Sequence, residues 1–236
     1  MIQFYAPEIE STLLLPESES AHCCRVLRMK EGDEVVVTDG RLHRFLCEIE
    51  KAHPSQTKVR IKEKINVKPE RDYSITLAVA PTKNSDRLEW LAEKAVEIGI
   101  DTLVLLKCQR SERKIQRADR LRKIMISAMN QSLSAKLPEL VDIKDIRDFI
   151  KGEETTGGKF FGYCSREFPR KELVKEYKPG ENVVIMIGPE GDFTPEEVDL
   201  AVKKGFVPVT FGEKRLRTET AGVFALSAVN IINQMQ

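Results

Sequence analysis

Two short apolar runs, each closed by a glycine-marked turn, constrain the fold of this chain more than any other feature. The first is Val183-Val184-Ile185-Met186-Ile187, followed by Gly188-Pro189-Glu190-Gly191-Asp192-Phe193. The second is Val207-Pro208-Val209-Thr210-Phe211-Gly212, which opens into Arg215-Leu216-Arg217-Thr218-Glu219-Thr220-Ala221-Gly222. Both are β-branched or aromatic and too apolar to alternate, as expected of strands covered on both faces of a parallel sheet. Each ends where a helix begins. Thr194-Pro195-Glu196-Glu197 places a capping residue, a proline at the first helical position and a glutamate three residues after the cap. Open α/β sheets bind ligands outside the carboxyl ends of their strands, so the two turns are expected to meet at one site.

A chain of 236 residues can form one large or two modest domains, and two are expected here. With 41% hydrophobic and 32% charged residues it is globular by composition. A net charge of +1 gives no global nucleic-acid signal, so any RNA footprint must be local. The five cysteines show no C-x-x-C pair and no histidine at zinc-ligand spacing, which argues against structural zinc and fits a reducing cytoplasm. No leader-like amino terminus and no apolar run of membrane-spanning length is present, so a soluble cytoplasmic protein is expected.

From the amino terminus to about Val67, turn signals separate short apolar runs. Val35 to Thr38, Phe45 to Ile49 and Lys58 to Lys62 read as strands of a small β domain, a barrel by preference, with Ser20 to Met29 as a helical exception carrying Arg25 and Arg28. Asn66 to Arg71 reads as a linker. The grammar then changes to alternation: strands at Ile75 to Ala80, Thr102 to Leu106 and Phe160 to Tyr163; helices at Ser85 to Ile98, Gln116 to Gln131, Arg170 to Tyr177 and about Thr220 to Gln234. That order predicts a parallel sheet with helices on both faces.

The motifs carry alternative readings. Gly188 to Gly191 is either a plain strand-to-helix turn or a place where small residues let the backbone approach a flat or anionic ligand, with Glu190 as acceptor. In the second turn, Thr218 or Thr220 fits a helix cap, while Arg215 and Arg217 suit recognition of a phosphate or an enolate-like base. Lys107 to Lys123 contains eight basic residues against Glu112 and Asp119. It is either a solvated helix face or, at Arg110, Arg113 and Lys114, a phosphate-binding loop that Arg25, Arg28, Arg41 and Arg44 would extend. The three histidines, His22, His43 and His53, receive no role. No G-x-G-x-x-G or P-loop pattern follows any strand, which disfavours a standard dinucleotide or nucleoside-triphosphate site.

Glu93-Lys94 with Glu97-Ile98-Gly99, Gln131-Ser132, Ile187 to Gly191 and Leu216 to Ala221 resemble, in order and spacing, the RsmE family of 16S ribosomal RNA uridine N3-methyltransferases, of the SPOUT class. The resemblance runs over the full chain, including Phe4-Tyr5 and His22 to Arg28. It implies a PUA-like β-barrel RNA-binding domain at residues 1–68 and a SPOUT methyltransferase domain at 73–236, an α/β fold with a carboxy-terminal trefoil knot. It also implies S-adenosylmethionine as cofactor, a homodimer, 16S rRNA of the small subunit as partner, and no metal. The cofactor residues it points to are Phe161, Gly162, Ile187, Gly188, Glu190, Gly191, Phe211, Gly212, Leu216, Arg217, Thr218, Thr220 and Ala221. The chain departs from the family pattern in two places: Asp192 stands where a second glycine is common, and Glu213-Lys214-Arg215 replaces a more apolar lead-in.

Methylation at N3 of uracil requires in-line geometry and loss of the N3 proton. Glu219 is the first candidate for the base, Arg217 for stabilising the negative charge on the carbonyl oxygens, and Glu190 is the alternative carboxylate. Arg25, Arg28, Arg110 and Arg113 are the expected phosphate contacts. Rival readings are a SPOUT enzyme acting on another ribosomal or a transfer RNA position, and a non-catalytic RNA-binding assembly factor; a nicotinamide or flavin enzyme is more distant.

Overall fold

The structure, a computed structural model, describes residues 2–112, 118–165 and 169–235. It divides into two compact units, Met1–Glu70 with Ile126–Leu137, and Arg71–Met125 with Pro138–Gln236.

In the first unit, strands β1 (Gln3–Tyr5), β2 (Glu34–Thr38), β3 (His43–Lys51) and β4 (Lys58–Asn66) form one sheet in that order. β1 runs parallel to β2, and the other pairs are antiparallel. Two short helices, α1 (Ile9–Thr12) and α2 (Glu17–Ala21), lie between β1 and β2 in the chain. Phe4, Val37, Phe45, Ile49 and Val59 fill the core, each worth about 1.5–3 kcal/mol of burial. The segment Ile126–Leu137 is bound in by backbone and side-chain hydrogen bonds: Leu42 N–H to Ala135 O at 2.9 Å, Leu137 N–H to Gly40 O at 2.9 Å, and Gln3 Nε2 to Ser134 O at 2.8 Å. The expected helix over Ser20 to Met29 is corrected. α2 starts earlier, on Pro16, and passes into a π-helical turn, His22–Val26; Arg28 at φ +54° then ends the helical run.

The second unit is the predicted parallel sheet. Its strands are β5 (Ile75–Val79), β6 (Thr102–Lys107), β7 (Glu139–Asp145), β8 (Gly158–Gly162), β9 (Lys171–Glu172), β10 (Val183–Ile187) and β11 (Val207–Thr210). They lie in the order β7-β6-β5-β10-β8-β11-β9, every pairing parallel. The first apolar run thus occupies the central strand, and all five of its residues are buried. The connecting helices are α3 (Ser85–Ile98), α4 (Ala118–Gln131), α5 (Ile146–Gly152), α6 (Leu173–Glu176), α7 (Pro195–Lys203) and α8 (Thr218–Gln234).

Local chemistry places these helices. Asn84 caps α3 by accepting from Asp86 N–H at 2.9 Å, and Leu88, Leu91, Ala92 and Ala95 form its buried stripe. α7 has the full capping box: Thr194 Oγ1 accepts from Glu197 N–H at 3.3 Å, and Glu197 Oε2 accepts from Thr194 N–H at 2.8 Å. Helices α3 and α8 pack together and α8 lies on β5 and β10, with Gly222 so close to Leu91 that a Cβ would meet its Cδ1 at 2.8 Å. Phe149, Ile150, Val198 and Phe206 share a core with Val184, Met186 and Phe161. The expected helix over Arg170 to Tyr177 is corrected: Lys171 and Glu172 pair with Val209 and Thr210 at the sheet edge, so only Leu173–Glu176 is helical. The Gln116 to Gln131 helix is described from Ala118 onward, and its first two expected residues lie outside the described ones.

Candidate active site

The carboxyl ends of β8, β10 and β11 open into a cavity of about 740 Å³, within the range of small-molecule sites. Three loops form its wall: the one after β8, the Gly188 to Asp192 turn after β10, and the stretch from Phe211 to Ala221 after β11. The two glycine-marked turns therefore do meet at one site.

The beginning of α8 rests directly on the first turn. Thr218 Oγ1 donates to Gly188 O at 3.2 Å, so Thr218 is not the cap that its composition suggested. Arg217 occupies the cap position, with φ −72° and ψ 157° and no side-chain capping bond. Its guanidinium is exposed at the cavity and has no partner among the described residues. Glu219, one residue into the helix, is 8% exposed, and its Oε1 lies 3.7 Å from Nε of Arg87, which the first turn of α3 brings to the same cavity. Glu190 is exposed: its Oε1 accepts from Lys83 N–H at 3.1 Å, and its backbone carbonyl accepts from Arg215 Nη2 at 3.0 Å.

Of the residues assigned to the cofactor, Gly162, Ile187, Gly188, Glu190, Phe211, Gly212, Leu216, Arg217, Thr218 and Ala221 line the cavity. Phe161, Gly191 and Thr220 do not. Phe161 is fully buried behind the wall, edge-on to Phe193 with ring centroids 5.9 Å apart. Gly191 points its carbonyl at Arg110 Nη1, 3.0 Å away, and Thr220 is exposed. Two glycines shape the cradle. A Cβ on Gly162 would stand 2.7 Å from Cε2 of Phe211, and one on Gly188 would stand 3.2 Å from the Phe193 ring.

Several lining residues were not singled out in the sequence as site residues: Arg87, Tyr163, Cys164, Ser165, Arg170 and Asp192. Arg87 reads in the sequence as one more polar position of an amphipathic helix, and only the fold aims it at Glu219. Burial pushes the Cys164 thiol above its ordinary range; the nearby Asp192 carboxylate adds to this, while Arg215 and Arg170 oppose it.

The expected phosphate contacts separate. Arg25 and Arg28 are exposed in the first unit, around its π-helical turn. Arg110 belongs to the second unit, where Nη1 also reaches Phe193 O at 3.3 Å, so this side chain braces the Gly188 to Asp192 turn. Arg113 lies outside the described residues. Arg41 is committed to Asp39 and Pro7, and Arg44 donates to Leu133 O. Among the described residues, no group of three or more His, Cys, Asp and Glu has metal-site geometry, and no helix is long and apolar enough to cross a membrane.

Comparison with known proteins agrees with this geometry. Family models for an RNA methyltransferase domain and an RNA methyltransferase PUA domain match residues 69–230 and 15–62. A crystal structure of a probable rRNA-methyltransferase from Porphyromonas gingivalis is 40% identical, covers 100% of this chain and 99% of its own, and superposes with a TM-score of 0.94. A ribosomal RNA small subunit methyltransferase E from Neisseria gonorrhoeae, bound to S-adenosyl methionine, is 26% identical with 98% of both chains covered and a TM-score of 0.88. The Bacillus subtilis protein of the same name is 26% identical over 93% of this chain and 90% of its own length. With the methyltransferase model spanning more than half of its length, and the cavity at the strand ends where the glycine turns meet, the chain belongs to the RsmE family of RNA methyltransferases.

Proposed function

We propose that this protein is an S-adenosylmethionine-dependent 16S rRNA methyltransferase that methylates N3 of a uridine in the small ribosomal subunit. The observation that carries the reading is the cavity itself, which gathers a glycine cradle, an exposed arginine at a helix start and a buried carboxylate. Gly162 and Gly188 fit a flat ligand lying against the backbone, since a side chain at either would press on a ring already lining or backing the space.

Bound in this cradle, S-adenosylmethionine supplies a methyl group already activated on a sulfonium. The chain's own residues supply geometry and proton transfer. Glu219 takes the N3 proton of uracil. Arg87, at 3.7 Å, pairs with it as an ion and is too far for a hydrogen bond, and among the described residues no hydrogen bond is made to either carboxylate oxygen of Glu219. Arg217, with no competing partner among the described residues, meets the negative charge that spreads over the uracil carbonyl oxygens. Glu190 is the less suitable base, because one of its oxygens already accepts from Lys83 N–H.

Arg25 and Arg28 of the first unit contact RNA phosphates and set register, while the base is read in the cavity. The target nucleotide leaves any stack to reach it. We further propose that the RNA-binding and methyltransferase domains are residues 1–68 and 73–236, and that the carboxy-terminal segment is threaded as a trefoil knot. Support for the threading comes from β10 lying between β5 and β8, with the start of α8 bonded to Gly188. Exposed Phe224 and Ile231 on α8 and Trp90 on α3 support a homodimer, and ribosomal RNA as substrate supports a cytoplasmic location.

The test is transfer of labelled methyl from S-adenosylmethionine to small subunits lacking the modification, with large subunits, naked 16S RNA and transfer RNA in parallel, followed by nucleoside mass spectrometry. Label in 3-methyluridine from the small subunit is the expected result. Label in another RNA moves the substrate and leaves the fold; absence of cofactor binding returns the chain to a scaffold role.

A further inference from the structure

Asp192 holds a backbone conformation that L-residues rarely adopt, with φ +62°, directly after the Gly188 to Gly191 turn. Its backbone N–H closes the turn on Pro189 O at 2.9 Å, and its carboxylate is bonded on both sides. Oδ1 accepts from Phe193 N–H at 2.9 Å, and Oδ2 accepts from Cys164 N–H at 3.1 Å, in the loop after β8. That second bond joins two of the three loops that wall the cavity, and Asp192 and Cys164 both line it.

Cys164 has left the sheet, since β8 ends at Gly162, so strand pairing does not position its peptide. Side chains do so instead. Its N–H goes to Asp192, and its carbonyl accepts from Arg170 Nη1 at 3.0 Å. Arg110 secures the other side of the turn through Gly191 O and Phe193 O. A glycine at 192 would satisfy the backbone without strain and could make neither carboxylate bond.

We propose that Asp192 is a positioning residue for the cofactor cavity: by bonding the loop after β8 to the turn after β10 it fixes the shape of the cradle, and so sets cofactor affinity without touching the transferred methyl. The proposal rests on the cofactor assignment above. It predicts that removing the bond weakens S-adenosylmethionine and its neutral product S-adenosylhomocysteine equally, because shape and not charge attraction is lost.

The experiment is calorimetric titration of the full chain with each of the two compounds, for the native protein, Asp192→Gly and Asp192→Asn, with thermal melting alongside. Asp192→Gly should weaken both compounds about tenfold, the size of one lost hydrogen bond to a charged group, while melting at the native temperature or above it because the left-handed strain is relieved. Asp192→Asn, which keeps one oxygen acceptor, should recover part of the affinity for both. Native affinity in Asp192→Gly overturns the proposal. So does selective loss of the cationic compound, which would make Asp192 a direct charge partner, and so does lost binding accompanied by a lowered melting temperature, which would make it a general structural tie. Should the native protein bind neither compound, the cofactor reading itself fails, before the variants are compared.

Discussion

Strands β4 and β10 follow different rules. Along β4, Val59 faces the core and Ile61 is half-buried, while Lys58, Arg60 and Lys62 face water and pair with acidic residues, Arg60 with Glu48 at 2.8 Å and Lys62 with Glu34 at 2.9 Å. Along β10 every residue from Val183 to Ile187 is buried. An antiparallel sheet can offer a whole face to a partner, whereas a parallel sheet covered on both sides has only the ends of its strands left. The first unit is therefore suited to meeting an extended ligand such as an RNA backbone, and the second confines its chemistry to the loops beyond Gly162, Ile187 and Thr210.

The sharpest way to break that division is at the strand ends. Arg217→Ala should lower turnover by about 10²-fold or more, the usual cost of deleting a group that stabilises developing negative charge, and Glu219→Gln, which removes the proposed base, should lower it by about 10²-fold or more as well. RNA affinity should change far less than turnover, since the phosphate contacts proposed above, Arg25 and Arg28, belong to the first unit. Single-turnover methyl transfer and a filter-binding isotherm on the same preparations separate the two quantities. Near-native turnover in Arg217→Ala would move the electrostatic role to another cation at the cavity, with Arg87 and Arg215 next in line.

Glycines give a second, smaller contrast between the units. Gly162→Ala puts a Cβ 2.7 Å from the Phe211 ring, so the ring must shift and cofactor affinity should fall about tenfold. Gly32, in the first unit, has φ +90° and nothing within 4 Å of a built Cβ. Gly32→Ala should therefore cost only backbone strain, about 1 kcal/mol of stability, and leave cofactor binding untouched. Equal losses of cofactor affinity in both variants would mean that the cavity is not confined to the second unit.

The same contrast explains what the sequence made legible. The helix over Ser85 to Ile98 and the capping box at Thr194 to Glu197 could be located because cap, stripe and stop agree locally. The central strands could be located because burial on both faces leaves no room for polar residues. Edge elements were harder. Glu139–Asp145 is a strand whose alternating charges reflect its place at the rim, and neither it nor Ile146–Gly152 is marked by the sequence reading. Lys171-Glu172 reads as a helix start until Val209 and Thr210 pair with it. At the site, Arg217 and Glu219 were visible in a motif, but Arg87 becomes a site residue only through the packing of α3 on α8. The clearest local signal carries its own test: Thr194→Ala removes one half of the capping box and should cost about 1 kcal/mol, read as a lower denaturant midpoint with an unchanged slope.

The smallest expected effect bears on the first unit. Arg25 and Arg28 are exposed, on a π-helical turn and just after it, and the rest of the proposed track is reduced because Arg41, Arg44 and Arg110 are bonded to the protein itself. If Arg25 contacts one phosphate, Arg25→Ala should flatten the salt dependence of RNA binding by about 0.7 to 0.9 units of slope while leaving methyl transfer at saturating RNA unchanged. The π-helical turn sharpens the comparison further. Arg28 sits at φ +54°, where glycine is at ease, so Arg28→Gly removes a charge without adding strain. A slope loss in Arg28→Gly equal to that in Arg25→Ala would mark both as phosphate contacts; an unchanged slope in either reduces that residue to the solvated surface of the first unit.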